Sequence, residues 1–356
     1  MVTLRDVARA AGVSLATASR ALSDAPHVSP ANREQVALAA ASLGYRPHPA
    51  ARALTTGSTG TLGLVVPDLA NPFFAAVAKG VQARAHETGR DVLVADTDED
   101  VTAEPDIITR LGDRVDGLVL CSPRLPAEAL GALLAAPAAD GRVALVNRET
   151  PFAPSVSFDL SDGVRQAVDH LRALGHTTVA YVGGPAGSWS DGERRQALAE
   201  VAVVDLGSFR PTHGGGVQAA DLALAAGATA VLCFNDLVAL GVLARLHARG
   251  VATPADVSVV GFDDVPAASL VTPALTTVAV PLARAGREAV DLLAGAARGG
   301  DVVPERRRLP VELVVRASTA PRDPRLADTT PGSSATAPAT SPATIPRTAD
   351  PEVVIR

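Results

Sequence analysis

The chain has 356 residues, 47% hydrophobic but only 3% aromatic, with a net charge of −6. That length exceeds one ordinary domain, and the interior has to be built from Ala, Val and Leu. No run of about eighteen apolar residues is present to span a membrane, and Cys121 and Cys233 lie far apart within apolar runs, as free thiols rather than a disulfide or metal framework.

The charge is unevenly placed. Residues 1–60 hold six Arg and three acids, a net of +3, which leaves −9 on the remainder. A small basic head on an acidic body suits phosphate contact by the head alone. The opening residues form no apolar signal region, so a cytoplasmic protein is expected.

The head reads as short capped helices. Thr3 and Asp6 make a capping box, and Leu4, Val7, Ala8 and Ala11 share one face. Gly12 ends this helix and Val13 plugs the turn. Ser14 caps a second helix, Leu15 to Leu22, with Ala18, Ala21 and Leu22 inward. The pattern fits an ordinary helical hairpin or a helix-turn-helix whose second helix enters the major groove of DNA. Ser29-Pro30 opens a third helix through Val36, Leu38 and Leu43, closing at Gly44. The stretch 45–49 cannot be helical. Residues 50–54 and the Gly-, Ser- and Thr-rich 55–60 complete a linker.

Strands and helices then alternate. Strands are expected at 61–66, 91–96, 115–121 and 142–147, with helices at 71–88, 104–111 and 126–135. A second series has helices at 160–174, 191–200, 217–226 and 236–249. Its strands are expected at 178–183, 201–206, 230–234 and 256–263. The segment TTVAV (276–280), a helix over 282–297 and the strand LPVELVV (309–315) follow. This period implies parallel sheets covered on both faces, in two tandem α/β lobes. From Ser318 the chain turns rich in Thr, Ala and Pro, and disorder is expected to the end. That tail has no leucine heptad, so a dimer is expected rather than a tetramer.

The stretches VTLRDVARAAGVS, TASRALS, HVSPANREQV, LGYRPHPAARAL and VSVVGFDDV, in this order between Val2 and Val315, resemble the LacI/GalR family of transcriptional regulators. The resemblance implies a helix-turn-helix head (1–47), a hinge helix and linker (48–60), a two-lobed periplasmic-binding-protein-like body (61–317) and the tail (318–356). It also implies three chain crossings between the lobes, operator DNA bound by a homodimer, and a small sugar-like effector in the cleft. One departure stands out. Relatives have a longer segment between GERRQ (192–196) and the next strand, so either a trimmed helix or a less stable lobe is expected here.

The DNA-facing candidates follow from position. Leu15 and Ala16 stand at the exposed first turn of the second helix, where base edges and thymine methyls are met. Thr17 and Ser19 can bond phosphates or bases. Arg20 reaches guanine O6 and N7, or a phosphate, or is a solvated helix-end charge. Thr3, Ser14, Asn32 and His27 are placed for phosphates. Ala51 and Leu54 match the family's hinge helix, which is too short to be stable alone and orders in the minor groove, where the leucine wedges between base pairs. The alternative for Leu54 is a plain linker residue.

Ligands of such sheets bind beyond the carboxyl ends of strands. Asp68, Asn71, Phe73, Asn147, Arg148, Trp189, Arg194, Asn235 and Asp263 all follow strands. The resemblance makes Asn147, Arg194, Asn235 and Asp263 effector binders. Trp189 or Phe73 can stack on a sugar ring, or Trp189 can simply pack on a neighbouring helix. Asp264 is expected to cap the following turn. GGPAG (183–187) lacks the GxGxxG spacing of a phosphate loop, and 212–216 reads as a turn. No His pair has metal spacing, no nucleophile elbow is present, and neither cofactor nor catalysis is expected. A solute-binding protein of a sugar transporter is the alternative with the same body, but it has no use for residues 1–54.

Overall fold

Three short helices, α1 (Leu4–Ala10), α2 (Leu15–Leu22) and α3 (Pro30–Ser42), form the head of the computed structural model. The structure describes residues 2–22, 28–45, 57–136, 142–296 and 303–322. His27, Ala51, Leu54 and the hinge helix lie outside the described residues, as does the chain after Arg322.

The caps are those the sequence implies. The Asp6 carboxylate accepts from the Thr3 hydroxyl at 2.7 Å and the Thr3 N–H at 3.0 Å, bonds that hold it below the usual carboxylate range. Ser14 Oγ accepts the Thr17 N–H at 3.1 Å, and Ser29 Oγ accepts that of Asn32 at 3.3 Å. Val7, Ala8, Ala11, Ala18, Ala21, Val36, Ala39 and Ala40 make the small core. Leu38 is exposed, and so is Leu43. Small Ala39 and Ala40 take the inward face of α3, which draws the helices close.

The body holds two six-stranded sheets. Lobe one contains β1 (Thr61–Val66), β2 (Asp91–Asp96), β3 (Gly117–Cys121), β4 (Val143–Val146), β5 (Ser155–Phe158) and β11 (Arg306–Leu309), in the order β11-β5-β4-β3-β1-β2. Lobe two contains β6 (Val179–Gly183), β7 (Val203–Ser208), β8 (Ala230–Cys233), β9 (Ser258–Asp263), β10 (Thr276–Ala279) and β12 (Glu312–Val314), in the order β12-β10-β9-β8-β6-β7. All pairings are parallel except β10 with β12.

Nine further helices occur among the described residues: α4 (Pro72–Glu87), α5 (Glu104–Gly112), α6 (Ala127–Leu134), α7 (Leu160–Ala173), α8 (Trp189–Leu198), α9 (His213–Ala225), α10 (Asp236–Ala248), α11 (Pro266–Leu270) and α12 (Leu282–Ala296). The chain changes lobe after β5, after β10 and after β11, so the three crossings are real. A buried cluster runs from Leu62 and Val119 in lobe one to Tyr181 and Phe262 in lobe two.

Four readings of the sequence change. The strand β5 was not anticipated; its Ser155 and Ser157 are polar yet buried, which hides the pattern of a core strand. LPVELVV is two strands in different sheets, divided at Pro310. Residues 213–216 are the first turn of α9, capped by Thr212, rather than a loop. A Cβ on Gly216 would overlap the Val238 carbonyl, so this glycine serves close packing of α9 on α10. Finally, Ser318 is fully buried and bonds β9 and β10, while the Arg322 N–H donates to the Leu174 carbonyl at 2.9 Å. The packed chain thus includes the first five residues, 318–322, of the stretch expected to be disordered.

The connection that follows α8 is short: α8 ends at Leu198 and β7 starts at Val203. Arg195 secures the edge strand by bonding Asp191 at 2.6 Å, the Gly207 carbonyl at 3.1 Å, and Asp205.

Lobe one is closed by α4 crossing α12. A Cβ on Gly80 would overlap the Ala283 carbonyl, and one on Gly286 the Val77 carbonyl. Gly80→Leu should therefore separate two buried helices and lower stability by about 3 kcal/mol or more. Chemical denaturation checks this; a loss within 0.5 kcal/mol (the usual range for surface changes) contradicts the packing.

Candidate functional site

The strand ends that face between the lobes share an unusual backbone. Asp98, Glu99, Ser122, Asn147, Asp263 and Asp264 are the non-glycine residues with positive φ among those described. Each closes or closely follows β2, β3, β4 or β9. Left-handed non-glycine residues carry strain on the order of 1 kcal/mol or more and gather at binding sites.

A cavity of about 380 Å3 lies between the lobes. Asp68, Asp98, Glu99, Val101 and Arg124 line it from lobe one; Pro185, Ala186, Ser208, Phe209, Arg210, Pro211 and Thr212 line it from lobe two. Arg124 is buried, with Nε 2.7 Å and Nη2 2.8 Å from the two Glu99 carboxylate oxygens. Its backbone N–H donates to the buried Glu104 carboxylate at 3.0 Å. Of the expected ligand residues, Asp68 lines this cavity. Its carboxylate also accepts the Ala70 N–H at 2.7 Å.

Asn71, Phe73, Asn147, Arg148, Arg194, Asn235 and Asp263 are not among the cavity's lining residues; they form a buried layer at the strand ends and on the helices that follow. Asn71 caps α4 by accepting the Phe73 N–H at 3.0 Å. Phe73 is buried edge-on to Phe74 and Phe158, with centroids 5.0 and 6.3 Å away. Asn147 donates to Ser122 Oγ at 2.9 Å, and Arg148 reaches the Leu125 carbonyl at 3.4 Å. Asn235 caps α10 and donates to the Pro211 carbonyl at 3.1 Å, tying a strand end to the cavity wall. Arg194 is buried between two rings, its guanidinium carbon 4.0 Å from the Phe262 centroid and 4.7 Å from that of Phe234. Burial pushes the Asp263 carboxyl well above its ordinary range, against the pull of Arg194.

Three buried side-chain atoms in this layer have no partner: Asn147 Oδ1, Arg148 Nε and Arg194 Nε. Only two others occur among the described residues, on Ser155 and Thr253. Unsatisfied buried polar atoms cost about 1–3 kcal/mol each, so their concentration here suits a polar occupant.

Of the two alternatives for Trp189, the structure has it half-buried against the shared core, and the aromatic side chain on the cavity is Phe209. One expectation is corrected. Asp264 does not cap α11; it pairs with Arg316 at 2.6 Å. Glu99, Arg124 and Phe209 were passed over, although the same rule of strand ends that selected Asn147 reaches CSPR (121–124) and GSFR (207–210).

In the head, Leu15, Ala16 and Arg20 are exposed on one side of α2, while Ser14 and Thr3 are exposed at the caps. Thr17, Ser19 and Asn32 are half-buried beside them. The Thr17 hydroxyl lies 2.8 Å from Ser14 Oγ. No helix among the described residues is long and apolar enough to cross a membrane.

Comparison with known proteins agrees with this architecture. Residues 3–48 match the family described as bacterial regulatory proteins, lacI family, and residues 168–319 match the periplasmic binding protein-like domain. The HTH-type transcriptional regulator DegA of Bacillus subtilis (strain 168) is 33% identical over 331 residues, which covers 90% of this chain and 98% of DegA. The lac repressor dimer bound to operator and the anti-inducer ONPF superposes with a TM-score of 0.78 at 31% identity, over 90% of this chain and 99% of that one. The complex of the transcriptional regulator CelR with cellobiose gives 0.65 at 30% identity, over 89% and 100% of the two chains. With its capped three-helix head, its twice-crossed and re-crossed pair of parallel sheets and this likeness over nearly the whole chain, the protein belongs to the lacI family of bacterial regulatory proteins, as a helix-turn-helix transcriptional regulator.

Proposed function

We propose that this regulator binds pseudo-palindromic operators as a homodimer, most simply as a repressor, and is controlled by a sugar-like effector in the interlobe cleft. The observation that carries the effector is the trio of orphaned polar atoms on Asn147, Arg148 and Arg194. A body that served only to join two heads would have no use for them. Hydroxyl groups of a sugar satisfy such atoms in both donor and acceptor roles. Asp68, Asn71, Asn147, Arg148, Arg194, Asn235 and Asp263 are the polar set in this reading, and Phe209 supplies an apolar face, with Phe73 buttressing the wall.

A second copy is the partner for the exposed apolar residues Leu93 and Val94 on the edge strand β2, and for Leu270, which is 80% exposed beside a cavity lined by Leu240, Leu243 and Val271. Effector and operator act on each other through their different affinities for two lobe arrangements; a coupling of about 1–3 kcal/mol alters DNA affinity roughly 5- to 150-fold.

In the head, Leu15, Ala16, Thr17, Ser19 and Arg20 face base edges, and Thr3, Ser14, His27 and Asn32 face phosphates. Ala51 and Leu54 belong to the hinge. Gel shift on symmetric duplexes at low salt tests the reading. Arg20→Ala should lose discrimination at one base pair per half-site, about 1–3 kcal/mol. Equal weakening on every duplex would make Arg20 a phosphate contact, and no binding by the unaltered dimer would end the proposal.

A further inference from the structure

Among the described residues, the end of the linker gathers on one side chain of the body, that of Asp116. The Asp116 carboxylate, in the turn before β3, accepts four hydrogen bonds from residues 58–60. They come from the Ser58 hydroxyl at 2.5 Å, the Thr59 N–H at 2.6 Å, the Thr59 hydroxyl at 2.9 Å and the Gly60 N–H at 2.9 Å.

The turn that carries Asp116 is itself held. Its N–H donates to the Thr61 carbonyl at 2.8 Å. Arg142 donates from Nε to the Asp116 carbonyl at 3.2 Å, and from Nη2 to the Gly112 carbonyl at 3.3 Å and to the Val115 carbonyl. The Gly60 carbonyl accepts the Asp91 N–H at 3.0 Å. The end of the linker is thereby fastened to the first residues of β1, β2 and β3 in lobe one. Burial raises the Asp116 carboxyl, but the bonds from Ser58 and Thr59 outweigh it and hold the group below its ordinary range. It is anionic at neutral pH, so all four bonds are charge-assisted.

A Gly-, Ser- and Thr-rich segment left to itself is a flexible coil. Four bonds to a fixed anion remove that freedom at the body end. We propose that Asp116 is a positioning residue: by fixing the direction in which the linker leaves lobe one, its four bonds to residues 58–60 narrow the range of half-site spacings that the dimer accepts. The proposal rests on the operator-binding dimer described above.

Two variants of the full chain test it. Asp116→Ala removes the acceptor. The double variant Ser58→Ala, Thr59→Ala removes two donors and leaves the turn intact. Symmetric duplexes are first selected against the unaltered protein; the preferred duplex is then compared by gel shift with versions one base pair longer or shorter at the centre. The unaltered protein should favour one spacing. That preference should fall roughly tenfold in Asp116→Ala, the size expected from losing bonds to one charged group, and less in the double variant. Thermal unfolding of the body should stay unchanged, a combination that a merely structural residue would not give. Amide hydrogen exchange at Thr59 and Gly60 should quicken in Asp116→Ala.

Full spacing preference in both variants overturns the proposal, as does an unaltered protein that binds symmetric duplexes without regard to spacing. If Asp116→Ala fails to fold, the double variant decides. If the unaltered protein binds no symmetric duplex, the operator reading fails first and this one with it.

Discussion

Arg194→Ala should abolish the response to effector and destabilise the fold by about 3 kcal/mol. The guanidinium lies over Phe262 and Phe234, is 3% exposed, and donates to the Ser190 carbonyl at 3.2 Å. Stacked, desolvated contacts of this kind contribute up to about 2 kcal/mol. Removing a buried cation also strands its neighbour, here the buried Asp263 carboxyl, at a cost of about 3–5 kcal/mol when the partner stays charged. Asp263 lessens that cost by taking up a proton, since burial already favours its neutral form. A buried acid with a raised folded pKa destabilises progressively as pH climbs above the unfolded value of about 3.9. The penalty of Arg194→Ala should therefore be larger at pH 8 than at pH 5. Arg194→Lys keeps the charge but not the flat fork between two rings, so it should restore little of the effector response. Denaturation at the two pH values and gel-shift titration with mono- and disaccharides check both parts. An Arg194→Ala protein that still answers to a sugar would remove Arg194 from the site.

The second large effect is expected at Asp236. This residue is fully buried at the start of α10, and its carboxylate accepts the Val265 N–H at 2.8 Å and the Thr277 hydroxyl at 2.5 Å. It holds the end of β9, with Asp263 and Asp264, against α10 and β10. Asp236→Ala leaves two buried donors unpaired and should cost about 2–4 kcal/mol. Asp236→Asn separates charge from shape. Burial outweighs the bonds from Thr277 and Val265 and pushes the Asp236 carboxyl up to about 7. The folded chain then holds a proton that the unfolded chain releases near pH 3.9, so this group's contribution is fully present in acid and is lost as pH rises through about 7. The stability difference between the unaltered protein and Asp236→Asn should shift by about 2.5–3 kcal/mol between pH 5 and pH 8, with the unaltered protein favoured at the lower value. A flat difference across that range would show that Asp236 is charged throughout.

Both predictions concern the layer behind the cleft, and that layer divides what was readable in the chain from what was not. Asn235 and Asp236 stand side by side in one motif. The first is a cap and the second a brace, and nothing in their spacing separates the two roles. Arg194 could be chosen from its motif, but its two aromatic neighbours come from strand ends forty and sixty-eight residues further on. Trp189 attracted attention as the one tryptophan, yet the core claims it, and Phe209 occupies the wall of the cavity.

The sequence by itself determined the head, its caps at Thr3, Ser14 and Ser29, and the alternation of apolar strands with helices. These depend on neighbours three or four residues away, which a periodic pattern records. Strand order, the division of LPVELVV between two sheets, the burial of Ser318 and the fastening of residues 58–60 to Asp116 were decided by the tertiary structure alone. In each of these the partner lies dozens to hundreds of residues away. Its position follows from how two sheets close over a common core, a packing free energy that no local pattern contains.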